Sequence, residues 1–581
     1  MKSSLYPLIL TSALTLGTPF MPAACITSAA ETTIKQADSY KAMLNVFTYD
    51  STDKLIGNGT AAFINERGDV ACAYSLFNGA SRAEVVDWKG NRYAVHRILG
   101  ANRDYDLIRF SLTGLKKFEY LPIASTESAE GSSLQLVRYT TSKKTVAPSV
   151  NVVKSEAYSD FKYYTVSAEN VADNFGTFLV NENGELVGIV QKNVGKDAQT
   201  ACAIDARFID RLQITAMSAF STDLRAVNIQ KAVPTDVKDA LSYLYMMPQS
   251  DTLAITTAYA DFISAHPEVP DGYMGSASVW ATGGRYAEAE ADVKQALSQA
   301  EAHPNDSLMS TDNVHYQFSN LIYHALNNPA DSAATAAQNW TYARALAEAE
   351  AAYQSKPLTL YLNQEGNCLF AQKDYDGAYR KFLEATKDQS FASPETFYCA
   401  ARALELAKGD DKEVVALLDS AVSRIPQPIN ARNAQYYLER SQRLLRVGRY
   451  RDAVMDYNEY EKAIGPRNLN AQFYFLRHEA EMEAHMYQQA LDDIRTAIST
   501  SAQPLPYRLE EAYVLLRVGE FEDAIDAATK LLRDLPENPD CYKIIGISYG
   551  ELGKKALAQQ NLQKAKSLGD DTVDTFIQKY K

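Results

Sequence analysis

The sequence predicts a multidomain molecule, all-β in front and all-α behind, and three observations carry that prediction. Residues 31 to about 225 break into short β-branched or aromatic runs separated by turn residues. From about residue 232 those runs vanish and a helical period replaces them. Within the helical stretch one arrangement of small, aromatic and alanine positions recurs at near-constant spacing. A chain of 581 residues is too long for one core, so two to four domains are expected.

Residues 1–30 read as an export signal. Lys2 supplies a positive start, Leu5 to Phe20 is an apolar run broken by Pro7, Ser12 and Pro19, and Ser28-Ala29-Ala30 gives small residues before Glu31. Pro22-Ala23-Ala24-Cys25 leaves a second reading open, a lipid anchor at Cys25. The run is short for a membrane span, and no later segment has 18 uninterrupted apolar residues, so the mature chain is expected to lack a transmembrane segment. A net charge of −14 argues against a nucleic-acid partner, because binding phosphate needs a basic face.

The front half comes next. MLNVFTYD, TAAFIN, VACAYSLF, AEVVDW, YAVHRIL, LIRFSL, SLQLVRY, YYTVSA, GTFLVN and LVGIVQ are the strand runs, with Asn91, Gly114 and Asn183-Gly184 among the turn residues. Many short strands with regular turns predict a closed all-β architecture. Cys72 and Cys202 both lie on such strands, and a bridge between them and two separate thiols are both open.

Three segments add a resemblance: GNGTAAFINERGDVACAYSLFNGA (57–80), DYDLIRF (104–110) and ADNFGTFLVNENGELVGIV (172–190). They resemble the trypsin-like serine protease family in its bacterial envelope branch. The resemblance implies two six-stranded barrels over residues 31–225 with an old active site between them. It also implies a periplasmic or outer-membrane-associated location. The family's catalytic His, Asp and Ser positions read Ser75, Asp106 and Phe175 here.

Nucleophilic catalysis of this kind needs a hydroxyl, a base within hydrogen-bond reach and an orienting carboxylate. Asp106 supplies only the last. His96 is the one histidine between residues 31 and 230, and it lies on a strand past the expected place. The family's Gly-x-Ser-Gly-Gly-Pro becomes Asp173-Asn174-Phe175-Gly176-Thr177-Phe178, so the glycines that turn N–H groups toward an oxyanion are also lost in part. The expectation is a catalytically inactive barrel pair. The alternative is a serine protease with a relocated site that recruits Ser75 or Ser167. Phe175 and Phe178 are expected to fill the former site, as a plug or as the floor of a groove for strand addition.

In the rear half the pattern reads Ala277, Tyr286, Ala289, Ala296, then Gly366, Tyr375, Ala378, Ala385, then Ser441, Tyr450, Ala453, Tyr460. Ala512, Phe521, Ala524, Leu531 and Gly546, Lys555, Ala558, Ala565 follow. Small residues allow two helices to cross closely, the aromatic seals the turn, and Gly284, Gly448, Gly519 and Gly553 sit at that turn. This resembles the tetratricopeptide repeat. About nine helix pairs are expected within 226–568, the first and third irregular, with a longer loop around Asn327–Ser332 and a closing helix over 569–581.

The resemblance implies a solenoid whose first helices line a concave, peptide-binding face. Exposed polar and aromatic residues there are the candidates: Asn363, Arg402, Tyr436, Arg440, Tyr474, Arg477 and Arg517. The remaining histidines are scattered and no phosphate-binding glycine loop occurs, so no metal and no cofactor are expected. The function expected is an exported, non-enzymatic scaffold or assembly adaptor that binds a protein or peptide of the cell envelope.

Overall fold

The computed structural model describes residues 36–581 apart from 143–146, 193–196, 249, 305–308 and 329–331. Residues 1–30, expected to form an export signal, with Cys25 and part of the Asn327–Ser332 loop, lie outside the described residues.

The first barrel is built from β1 (Met43–Tyr49), β2 (Leu55–Phe63), β3 (Val70–Cys72), β4 (Arg82–Asp87), β5 (Arg92–Asn102) and β6 (Leu107–Leu112). It closes in the order β1-β2-β3-β6-β5-β4, each neighbouring pair antiparallel. The second holds β7 (Ser133–Val137), β8 (Ser149–Tyr158), β9 (Phe161–Val166), β10 (Phe178–Val180), β11 (Leu186–Val190) and β12 (Ala201–Asp205). It closes in the order β10-β11-β12-β9-β8-β7.

The period-2 alternation of side chains explains the cores. On β1, Leu44 and Val46 point into the first barrel, while Met43 points the other way. There Met43 joins Ala62, Ala71 and Leu107 against Val137, Phe178, Val180 and Ile189 of the second barrel. One apolar layer therefore fuses the barrels. Cys72 is a free thiol in the first barrel's core, which removes the open alternative of a bridge to Cys202; burial pushes its pKa up.

After the barrels, one turn, α1 (Thr222–Arg225), leads to a strip that returns to the first barrel. Gly79 N–H donates to Ala226 O, Asn228 N–H to Ala80 O, Ile98 N–H to Gln230 O and Ala232 N–H to Ile98 O. Then come α2 (Val237–Met246), α3 (Thr252–Ala265), α4 (Pro270–Thr282) and α5 (Tyr286–Ala302). Ala240, Leu244, Ile255, Ala258 and Phe262 bury against Ile98, Leu224 and Val227 in one continuous core. Arg97 of β5 holds Asp261 of α3 by two hydrogen bonds, 2.6 and 3.0 Å. The expected boundary at 225/226 thus has a shared core running across it. The first compact unit ends at Ser310 and the second begins at Thr311.

The second unit contains α6 (Thr311–Leu326), α7 (Ser332–Ala337), α8 (Tyr342–Ser355), α9 (Thr359–Ala371), α10 (Tyr375–Ala385), α11 (Pro394–Leu406) and α12 (Asp411–Val422). It continues with α13 (Ala431–Arg446), α14 (Tyr450–Ile464), α15 (Ala471–Glu483), α16 (Tyr487–Thr500), α17 (Leu505–Val518), α18 (Phe521–Leu531), α19 (Pro539–Glu551) and α20 (Lys555–Ser567). The last helix is α21 (Asp574–Lys579). Helices pair as α6/α8, with α7 inserted, then α9/α10 and onward to α19/α20, each pair packing on the next. With α2/α3 and α4/α5 this makes nine pairs among the described residues.

The crossing positions behave as their size requires. A Cβ on Gly366 would stand 2.6 Å from the Phe382 ring, and Ala453, Ala490, Ala524 and Ala558 are fully buried. The inter-helix turns need one left-handed residue. Gly284, Gly448, Gly519 and Gly553 provide it in four pairs, whereas Lys373, Lys408 and His485 adopt the same positive φ in three others. At the end of the chain, Tyr580 lies against Gly550 and donates to Glu551, which Lys579 also reaches. Among the described residues no helix is long and apolar enough to cross a membrane.

Candidate functional site

Two turns of the first barrel carry Ser75 and Asp106. The single turn Tyr74–Leu76 follows β3 and exposes Ser75. Asp106 closes the tight turn before β6, its N–H donating to Arg103 O and its φ at +48°. The carboxylate of Asp106 accepts from Ser75 N–H at 2.7 Å and from Ser75 Oγ at 3.2 Å. Tyr74 N–H donates to Asp106 O, so both turns are locked. Burial raises the Asp106 pKa, and the two donors of Ser75 pull against that.

The second barrel supplies the turn Ala172–Asn174 and the half-buried Phe175. Its backbone is closed on itself. Asn174 N–H donates to Val171 O, Phe175 N–H to Ala172 O at 3.1 Å, and Gly176 N–H to Val190 O at 2.7 Å. Thr177 Oγ1 donates to Asn174 O, while Arg138 donates to Asn174 Oδ1. A Cβ placed on Gly176 would stand 3.9 Å from Ala73 Cβ, so this turn lies next to the Ser75 turn. The structure bonds Ser75 to Asp106 and sets the turn that follows Phe175 beside Ala73. Phe178 does not join them. It is a fully buried β10 residue in the layer between the barrels, because alternation along β10 turns it inward with Val180. This corrects the expectation that it fills the former site.

His96 is exposed on β5 and is not a partner of Ser75 or Asp106. Ser167 Oγ accepts from Asn151 N–H at 2.8 Å. The neighbouring turns carry a hydroxyl on a carboxylate, a phenyl ring, and N–H groups at 174–176 that donate to carbonyls.

Of the seven repeat-array candidates Arg517 alone is exposed; Tyr474 and Arg477 are buried, and Asn363, Arg402, Tyr436 and Arg440 are half-buried. Arg477 is buried, donating to Asp493 at 2.6 and 2.8 Å, to Glu461 at 2.7 Å and to Asn458 at 2.8 Å. Arg440 is mostly covered, with two bonds to Asp456 and one to Asp419. Tyr474 is buried and donates to Glu461. These residues tie helices together, since a charge leaves water only when paired. The other four remain accessible to differing degrees. Arg402 lies on Glu405 at 2.5 Å, and Tyr436 meets Tyr398 edge-on at 5.2 Å between ring centres. Arg517 donates to Tyr487 Oη at 2.8 Å, and Asn363 keeps an Oδ1 without a hydrogen-bond partner.

A sequence signal for the ties exists and was missed. Glu365–Lys381, Arg440–Asp456 and Arg477–Asp493 are all sixteen residues apart, first helix to second, with the signs reversed in one pair.

Residues 256–307, most of α3 through α5, match the family model for the tetratricopeptide repeat. No curated protein matches this chain. Among solved structures, the inactive form of Rv3671c from M. tuberculosis, a serine-to-alanine mutant, is 16% identical, covering 30% of this chain and 86% of that one at a TM-score of 0.25. The active form of the same protease is 15% identical, covering 36% and 92% at 0.27. The HtrA-type protease AlgW, a serine-to-alanine variant with a tripeptide, is 16% identical, covering 30% and 60% at 0.27. The double-barrel description rests on the strand pairing itself.

Proposed function

We propose that this protein is a non-enzymatic scaffold or assembly adaptor in which a protease-like barrel pair has lost its reaction and a helical repeat array binds a protein or peptide. One observation supports this most directly. At the place expected for a base and a nucleophile, Ser75 is bonded to Asp106 and Phe175 occupies the neighbouring turn with its N–H spent on Ala172 O. A hydroxyl has no basicity near neutral pH, and a phenyl ring has no lone pair to attack a carbonyl. An oxyanion placed there would find the N–H of Phe175 already engaged.

The array supports the binding half of the reading, because stacked helix pairs present a long continuous surface to an extended segment. The leader-like residues 1–30 support export, with the lipid anchor at Cys25 a further part of the proposal, and the partner would then be a component of the cell envelope. Labelling the full chain with a fluorophosphonate probe tests the loss of reaction. No serine is expected to react, and covalent capture of any serine overturns the reading in favour of a relocated protease site.

A further inference from the structure

We propose that Glu481 is a proton-operated latch in the repeat array: with its carboxyl protonated α15 seats against α14 and α16, and loss of that proton loosens this junction.

Four other pairs fill this position with leucine (Leu369, Leu404, Leu444 and Leu515) and two with an aromatic residue (Trp280 and Tyr549). Three residues after the small crossing residues Gly366, Ser441 and Ala512 stand Leu369, Leu444 and Leu515. The matching place in α15, three after His478, is Glu481. The turns agree on the alignment. The carbonyls of Leu369, Leu444 and Leu515 accept from Asp374, Arg449 and Glu520, and that of Glu481 accepts from Met486 in the same way, at 2.8–3.0 Å. A carboxyl thus occupies a slot shaped for an apolar side chain.

It is 3% exposed, and its Oε2 has no hydrogen-bond partner. Arg477, one turn earlier on α15, is the nearest cation, and its guanidinium is already engaged by Asp493, Glu461 and Asn458. The other charges reaching Glu481 are carboxylates: Asp492 and Asp493 from α16 and Glu461 from α14. His478 lies on the same helix but is held at Ala490 O, with Glu510 of α17 at 4.0 Å from its Nε2. Glu365 provides the contrast, equally buried but met by Lys381 at 2.6 Å.

Burial, followed by the Asp493 charge, pushes the Glu481 carboxyl up to about 8, against the pull of Arg477. In the unfolded chain a glutamate titrates near ~4.3. Between those values the folded state holds a proton that the open state releases. The packing contribution is therefore whole at low pH and is lost as pH rises through the folded value. Opening can grow by up to roughly tenfold per pH unit across that window.

Hydrogen exchange by mass spectrometry on the full chain, corrected for intrinsic rates, tests this over pH 6 to 9 in segments covering α15 and α16. The native protein is expected to gain up to roughly tenfold in opening per unit. Glu481→Gln and Glu481→Leu are expected to show no such slope and to be more protected at the alkaline end. A flat native profile overturns the proposal, as does a Glu481→Gln profile that keeps the native slope. If Glu481→Leu fails to fold, the Gln variant alone decides.

Discussion

Arg477 grips Asp493 through both edges of its guanidinium, at 2.6 and 2.8 Å, and so joins the first helix of a pair to the second at a depth that water does not reach. The same guanidinium reaches back to Glu461 of the preceding helix, at 2.7 Å. One side chain therefore sets the register of three helices.

Arg477→Ala is expected to cost about 3–5 kcal/mol, because the buried Asp493 would lose its cation without regaining water. Replacing the pair together, Arg477→Met with Asp493→Leu, should cost much less or nothing, since the desolvation penalty leaves with both charges. Denaturant unfolding followed by far-ultraviolet circular dichroism measures both. Equal losses in the single and double variants would refute the argument.

Gly448→Ala should destabilise the α13/α14 pair by about 1 kcal/mol, since Gly448 has a φ of +75° and an L side chain resists that region. Lys408, at φ +61° in the α11/α12 turn, offers the opposite change. Lys408→Gly should stabilise by roughly 0.5–1 kcal/mol, the strain relieved exceeding the entropy added to the unfolded chain. Thermal melts of the two variants should move in opposite directions.

Restoring the residues of a protease at the cleft should not restore proteolysis. Ser75→His with Phe175→Ser rebuilds a base and a nucleophile beside Asp106. The N–H of residue 175 would still donate to Ala172 O. Each absent oxyanion donor costs on the order of a hundredfold or more in rate. No casein cleavage above background is expected, and a measurable turnover would mean that the turn re-forms easily.

A chain ended at residue 225 should fare worse than one ended at residue 310. The shorter one strips Leu244, Ile255, Ala258 and Phe262 from Ile98 and Leu224 and leaves Arg97 without Asp261. It is expected to aggregate or to bind a hydrophobic dye, while the longer one should be monomeric by light scattering. Equal behaviour of the two would show that the helices add nothing to the barrel.

The barrels were legible in the sequence because strand alternation and turn residues act locally, and the segments carrying Ser75 and Phe175 end on turns that meet where Gly176 approaches Ala73. Phe178 was not legible in the same way. Its direction depends on where β10 begins, and a strand of three residues gives alternation little to work on. The concave-face arginines failed for another reason. Arg440 and Arg477 read as solvated because they sit among polar neighbours, and only the acid sixteen residues on, in another helix, decides that they turn inward. Glu481 was invisible because nothing local marks a glutamate as standing in a leucine's place.

The strip at 226–232 has a mechanical consequence. Repeat arrays ordinarily need a dedicated terminal unit whose outer surface is polar, since the outermost helix pair otherwise presents bare hydrocarbon. Here the first barrel fills that office. Its β5 edge and the apolar patch around Ile98 give α2 and α3 a finished wall to lean on, with no slack tether between. The barrel therefore serves as the cornerstone on which the first two helices of the array are laid.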